Sequence, residues 1–299
     1  MNRIRFSSVL LIACVQFLSS QNQLLVTTAW VDDHKNDPNV ILFQVSGNRK
    51  GFLNGHIPGA RFLWFDHLSP SNPDESTALP TMEQAKSSLE ELGVSNASRV
   101  ILYGGPNVVT LLTRTYLMFE YLGIAQNVSI MSGGMDAWKS EKRVTSTETS
   151  PTIQRGNVSI TAHPNLIVDV DWVKNNLKNP SVAIVDARGK RAYDGAPGGP
   201  QRSGHIFGAK LVVIDSLVDS LNRFKSPDIL RKYFADAGIN PNSKIVTYCW
   251  VGQMATVPYF AAKLLGYDAA LFDGSWEIWS AMDESYPVEQ TPPPPKVGK

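Results

Sequence analysis

Cysteine is almost missing from this chain of 299 residues: Cys14 and Cys249 are the only two. Once a leader of about twenty residues is removed, one thiol remains and no intramolecular disulfide can form, even in a compartment that would permit it. Long apolar runs are missing too. The run Val9–Leu18 is far short of the roughly 20 residues that span a bilayer as a helix. Charge of one sign is also lacking. A net charge of +1 with scattered lysines and arginines offers no broad field for nucleic acid. No cluster of Cys and His has metal-ligand spacing, so neither zinc nor any other cofactor is implied. What is present is ordinary globular composition, 43% apolar and 18% charged, in a chain long enough for two domains of about 100–200 residues. A soluble body is expected.

The opening "MNRIRFSSVLLIACVQFLSS" places Arg3 and Arg5 before the apolar run and two serines after it, the pattern of a secretory signal over residues 1–20. Leu11-Ile12-Ala13-Cys14 also matches the short sequence before a lipid-modified cysteine. Cleavage near Ser20, a lipid anchor at Cys14 and a retained leader are the three outcomes considered. Each makes the body an exported one, periplasmic or secreted, with no membrane span.

The two halves repeat each other. "LLVTTAWVDDHKNDPNVILFQVSG" at 24–47 aligns without gaps on "LIVDVDWVKNNLKNPSVAIVDARG" at 166–189, pairing Trp30 with Trp172, Pro38 with Pro180 and Gly47 with Gly189. In the same order, "GHIPGARFL" meets "GHIFGAKLV", "VILYGG" meets "IVTYCW", and "SGGMDAWKS" meets "DGSWEIWS". The pattern predicts two domains, 24–145 and 160–285, joined by a polar linker over 146–159, with a proline-rich tail over 287–299. Within each half, β-branched runs (Val40–Val45 and Val182–Val185; Val100–Tyr103 and Lys244–Tyr248; Val128–Met131 and Ala270–Phe272) alternate with helical segments. Alternation of this kind predicts an α/β fold, a parallel sheet with helices on both faces, in each domain.

Cys249 stands between such a strand and the helix "ATVPYFAAKLLGY", which carries Pro258 in its first turn and stops at Gly266. Helix N-termini and tight loops present unpaired N–H groups, and the loop Trp250-Val251-Gly252-Gln253-Met254 can turn them inward as an anion nest. Gly252 supplies the backbone freedom. Such a corner suits a thiolate or the terminal anion of a persulfide. The competing reading is an inert buried cysteine acting as a small hydrophobe.

These residues, together with "VDARGKRAYDG", the "YC-x-x-G" corner and "YDAALFDGSWEIW", resemble the tandem-domain rhodaneses. These are sulfurtransferases that carry a sulfane sulfur from a small anionic donor, such as thiosulfate, mercaptopyruvate or an organic persulfide, to cyanide or a thiol acceptor. The resemblance covers about 24–285. It implies a rhodanese-like fold in each half, catalysis by the second half and an active site near the domain interface. Cys249 matches the family nucleophile. Its first-half counterpart is Gly104, which implies a non-catalytic first domain. Arg188 matches the arginine of the family's D-x-R strand end and is expected to bind the donor, since a guanidinium fork suits sulfonate or carboxylate oxygens. Arg191 falls one position before a second family arginine. Trp250, Val251, Gly252, Gln253 and Met254 are the remaining expected substrate-binding residues, while Asp186 and Asp273 are expected to orient loops.

The sequence departs from better-known members in lacking a basic residue after the cysteine, which makes thiosulfate the poorest expected donor. Trp250 is read equally as an apolar wall for an organic persulfide or as a cover for the loop. A salt bridge at the surface or the domain interface is the alternative reading of Arg188. His56 and His205 occupy matching turns, one of them in the half without a cysteine, and are read as structural. Trp30, Trp138, Trp172 and Trp279 recur in register and are read as core. The sequons at Asn96, Asn127 and Asn157 would matter only in a eukaryotic secretory route. A cysteine phosphatase would need an arginine six residues after the nucleophile, where Ala255 stands. A non-catalytic sulfane-sulfur carrier remains the alternative function.

Overall fold

The computed structural model describes residues 23–73, 75–148, 152–196 and 202–291. The leader at 1–20 with Cys14, and the four consecutive prolines at 292–295 of the tail, lie outside the described residues. In the first domain, β1 (Leu25–Val26), β2 (Val40–Ser46), β3 (Arg61–Trp64), β4 (Arg99–Tyr103) and β5 (Val128–Met131) form a parallel sheet in the order β1-β5-β4-β2-β3. Around it lie α1 (Thr28–His34), α2 (Lys50–Leu53), α3 (Met82–Glu91), α4 (Val109–Tyr121) and α5 (Gly134–Ser140).

The second domain repeats the plan. β6 (Ile167–Val168), β7 (Val182–Asp186), β9 (Lys210–Leu211), β10 (Lys244–Tyr248) and β11 (Ala269–Phe272) pair in parallel in the order β6-β11-β10-β7-β9, while β8 (His205–Ile206) lies outside that sheet. Its helices are α6 (Val170–Asn176), α7 (Lys190–Tyr193), α8 (Ile214–Leu217), α9 (Pro227–Asp236), α10 (Thr256–Leu264) and α11 (Ser275–Ala281). The central strands are apolar because both faces are covered. Even the caps repeat: Thr27 Oγ1 accepts from the Trp30 amide at 3.1 Å, and Asp169 Oδ1 from the Trp172 amide at 2.7 Å. From β7 the chain moves outward to β9, and from β10 it moves the opposite way to β11. The crevice between the C-terminal ends of β7 and β10 is therefore the switch point where α/β sheets hold their ligands. Arg188 and Cys249 follow those two strands.

Two of the expected boundary segments are held against the fold. The first is the polar linker. Ser146 pairs with His56, and the Gly156 amide donates to the Glu90 carbonyl at 2.7 Å. Val158 is buried, and the Thr161 and His163 amides donate to the carbonyls of Leu122 and Tyr121. The described part of the linker, and residues as far as 163, are thus strapped along the first domain. The tail likewise begins inside the fold: β12 (Val288–Glu289) pairs antiparallel with β8. Backbone hydrogen bonds form both attachments, with side-chain bonds such as Arg155 to Glu90 at 3.1 Å and Gln290 to the Ser203 carbonyl at 3.0 Å beside them; their partners lie far away in sequence, so local pattern gave no warning.

The domains meet through α4 and α10 about a local two-fold. Thr113 and Thr256, equivalent in the repeat, share a hydrogen bond at 2.7 Å, and Tyr116 meets Phe260 edge-on at 4.9 Å. Lys263 pairs with Glu120 at 2.7 Å, and Glu120 also accepts from the Tyr259 hydroxyl at 2.8 Å. One apolar cluster contains Phe43 and Leu117 from the first domain and Val185 and Phe260 from the second. The two sheets therefore stabilise one shared core.

Candidate active site

Strand β10 delivers Cys249 to the crevice, and α11 fixes its main chain there. The Cys249 amide donates to Ser275 Oγ at 3.1 Å, and its carbonyl accepts from the Trp276 amide at 3.0 Å. The Glu277 amide then donates to the Trp250 carbonyl at 2.9 Å. The sulfur is fully buried. Burial pushes the thiol up, while the backbone amides of Val251, Ala255, Gly252 and Met254, all turned on the sulfur, pull it back down without cancelling the rise. The anion nest is present, but burial outweighs it and makes this thiol harder to ionise than an ordinary cysteine. Gly252 closes the nest at φ +82°, and a Cβ there would lie 2.5 Å from Asp273 Oδ1. Any other residue would be strained and blocked.

The same corner in the first domain cannot host this chemistry. A Cβ on Gly104 would lie 2.2 Å from Val108 Cγ2, so a cysteine side chain has no room. The backbone clamp survives there, with the Met135 amide donating to the Gly104 carbonyl at 2.8 Å.

Arg188, expected to bind the donor, is fully buried against Asp186. Its Nε donates to both oxygens of Asp186 (3.0 and 3.1 Å), and Nη2 donates to Asp186 Oδ2 at 2.7 Å and to the Gly204 carbonyl at 2.6 Å. The guanidinium lies 4.7 Å from the Trp250 ring centre and 4.3 Å from that of Trp276. Burial works against its charge, but Asp186 and Tyr248 more than offset this and hold it above its ordinary value. Asp186 also accepts from the Tyr248 hydroxyl at 2.6 Å. The Nε–Nη2 edge of the fork is occupied by Asp186, and the ion pair braces Trp250 beside Cys249.

The other expected residues divide. Gln253 Nε2 reaches across the interface to Thr110 Oγ1 at 3.0 Å, and Met254 packs against the shared core. Arg191 is exposed on α7, and no described contact joins it to the cysteine loop. His56 and His205 stack on Phe52 and Tyr193 and bond the carbonyls of those same residues. Trp138 and Trp279 are core. Sequence reasoning missed Ser275 and Arg114. The first has a readable signal, a serine where the repeat has Gly134; it adopts φ +49° to aim its hydroxyl at the Cys249 amide. The second is an arginine buried inside an apolar helix, bonded to Asp273 by two nitrogens.

The rhodanese-like domain model matches residues 27–141 and 169–282, and the chain belongs to that family. It is a sulfurtransferase. A sulfur carrier protein of Thermus thermophilus is 32% identical over 273 residues, covering 86% of this chain and 93% of the relative. The 3-mercaptopyruvate sulfurtransferase of Escherichia coli K12 is 28% identical, covering 87% and 95%. Among solved structures, an anaerobic ergothioneine biosynthesis enzyme from Chlorobium limicola superposes with TM-score 0.79 at 23% identity, over 92% of this chain and 72% of that one. That likeness concerns the fold alone.

Proposed function

We propose that Cys249 is the sulfur-accepting nucleophile and that the protein favours a persulfide or mercaptopyruvate donor over thiosulfate. The observation that carries this reading is the convergence of four loop amides on one sulfur, in a loop from Trp250 to Ala255 that has no charged side chain. Arg188 and Arg114, which flank the loop, are each paired with an aspartate. A doubly charged donor therefore meets dipoles, with both of these guanidinium groups already engaged. In the first half-reaction the Cys249 thiolate attacks the outer sulfur of the donor; the new S–S bond forms as the donor's bond to that sulfur breaks, and the remainder leaves with the electron pair. In the second, an acceptor thiolate attacks the outer sulfur of the Cys249 persulfide and regenerates the thiolate. The amides hold the negative charge at Cys249, and Arg188 holds Trp250 in place as a wall.

The test is a panel of thiosulfate, mercaptopyruvate and glutathione persulfide, read as a one-sulfur mass gain on Cys249. Thiosulfate is expected to load more slowly than either organic donor by about tenfold or more, and equal or faster loading would overturn the preference. Because the thiol is pushed up, kcat/KM should keep rising past about pH 8.5, where an ordinary cysteine is half ionised. The same shift means that the folded protein holds this proton more tightly than the unfolded chain does. Its contribution to stability is complete below the ordinary cysteine value and is lost as pH climbs through the folded one. A plateau reached near neutral pH would contradict the raised value.

A carrier role is the second reading. It is favoured by full burial of the sulfur and by the name of the Thermus thermophilus relative. Under it, the loaded persulfide would pass to one protein partner and stay inert to cyanide and small thiols. The leader further supports export, which fractionation and the intact mass of the mature chain would test.

A further inference from the structure

We infer that Thr77 and Arg114, both in the domain without a nucleophile, are positioning residues that aim the amide of Gly252 at the sulfur of Cys249. The inference rests on Cys249 being the reactive group. It begins with one peptide bond. The Thr77 hydroxyl donates to the Val251 carbonyl, the oxygen of the peptide unit whose nitrogen belongs to Gly252. A trans peptide is planar, with C=O and N–H antiparallel. Holding that oxygen toward the first domain therefore turns the Gly252 N–H the opposite way, and this N–H is one of the four directed at the sulfur.

Arg114 holds both ends of the arrangement. Its Nη2 donates to the Thr77 carbonyl at 2.9 Å, and Nε donates to Ser69 Oγ at 3.2 Å, which pins the loop bearing Thr77. Nη1 and Nη2 grip Asp273, whose Oδ1 fills the space a Cβ of residue 252 would need. Arg114 is fully buried and Thr77 nearly so, so water does not compete for these bonds. The repeat places Val257 where Arg114 would recur, so the device exists on one side of the interface alone. The first domain, with no space for a nucleophile at Gly104, thus acts on the chemistry of the other domain through a peptide plane.

Thr77→Val removes the hydroxyl at nearly constant volume. Thiolate formation is followed by ultraviolet absorbance against pH, with Cys249→Ser as the blank. The charged groups about the loop, Arg188 with Asp186 and Arg114 with Asp273, are the same in both proteins. The valine variant should titrate about half to one unit higher and lose about threefold to tenfold in kcat/KM, with a modest fall in melting temperature from the unpaired Val251 carbonyl. Thr77→Ser should restore both, and Arg114→Lys, which cannot fork, should shift the titration in the same direction. A wild-type titration for the valine variant, or an equal loss in the serine variant, overturns the role of Thr77; a wild-type titration for the lysine variant overturns that of Arg114. Should the valine variant not fold, Thr77→Ala is held to the same standard. If the wild type takes sulfur from no donor, the functional reading fails, while the titration still decides this one.

Discussion

Cys249→Ser is expected to abolish sulfur transfer, by at least about a thousandfold in kcat, and to erase the one-sulfur mass gain with every donor. The reason is electronic. A hydroxyl does not ionise under conditions where a thiol does, and the chain has no other described cysteine to take over. The fold should survive, because the serine oxygen is smaller than sulfur and can accept from up to two of the amides that face this position. A loss of activity with retained melting behaviour is therefore the expected pair of results. Persistent turnover by the serine variant would remove Cys249 from the reaction.

The second large effect is on stability. Arg188→Ala leaves Asp186 buried with a charge whose main partner is gone, and opens a gap between Trp250 and Trp276. Removing one member of a buried pair costs about 3–5 kcal/mol, which in a chain of this size corresponds to a fall in Tm of roughly 6–20 °C. Arg191→Ala, on an exposed face, should stay within about 0.5 kcal/mol. Thermal unfolding of the two variants separates the alternatives: if Arg188 served to bind donor, its loss would raise KM and leave Tm in place. Arg188→Lys keeps the charge but not the fork, and should recover part of the stability at most.

Much of this was readable. The gapless match of 24–47 with 166–189 predicts a repeated sheet because strand and cap signals are local, carried by residue type at fixed spacing. The strand ending at Tyr248, a glycine three residues past Cys249 and a helix start mark an anion nest for the same reason. Arg188 was half legible. Asp186 and Arg188 are two apart, so their side chains share one face of an extended segment; a salt bridge was one of the two readings, but at the surface or the domain interface and not buried within the second domain. That Trp250 and Trp276 close on the guanidinium depends on two other segments arriving there.

The sequence by itself determined the duplicated α/β plan, the absence of disulfides from the body and the single thiol at a strand–helix corner, since composition and short-range pattern contain these in full. Tertiary structure alone decided that the thiol is pushed above its ordinary value, because burial is a property of the packed whole. It alone brought Thr77 to the Val251 carbonyl across 174 positions of chain, and laid the polar linker along the first domain. Contacts of that range are made by backbone groups and common side chains, whose partners are chosen by where the sheets and helices come to lie.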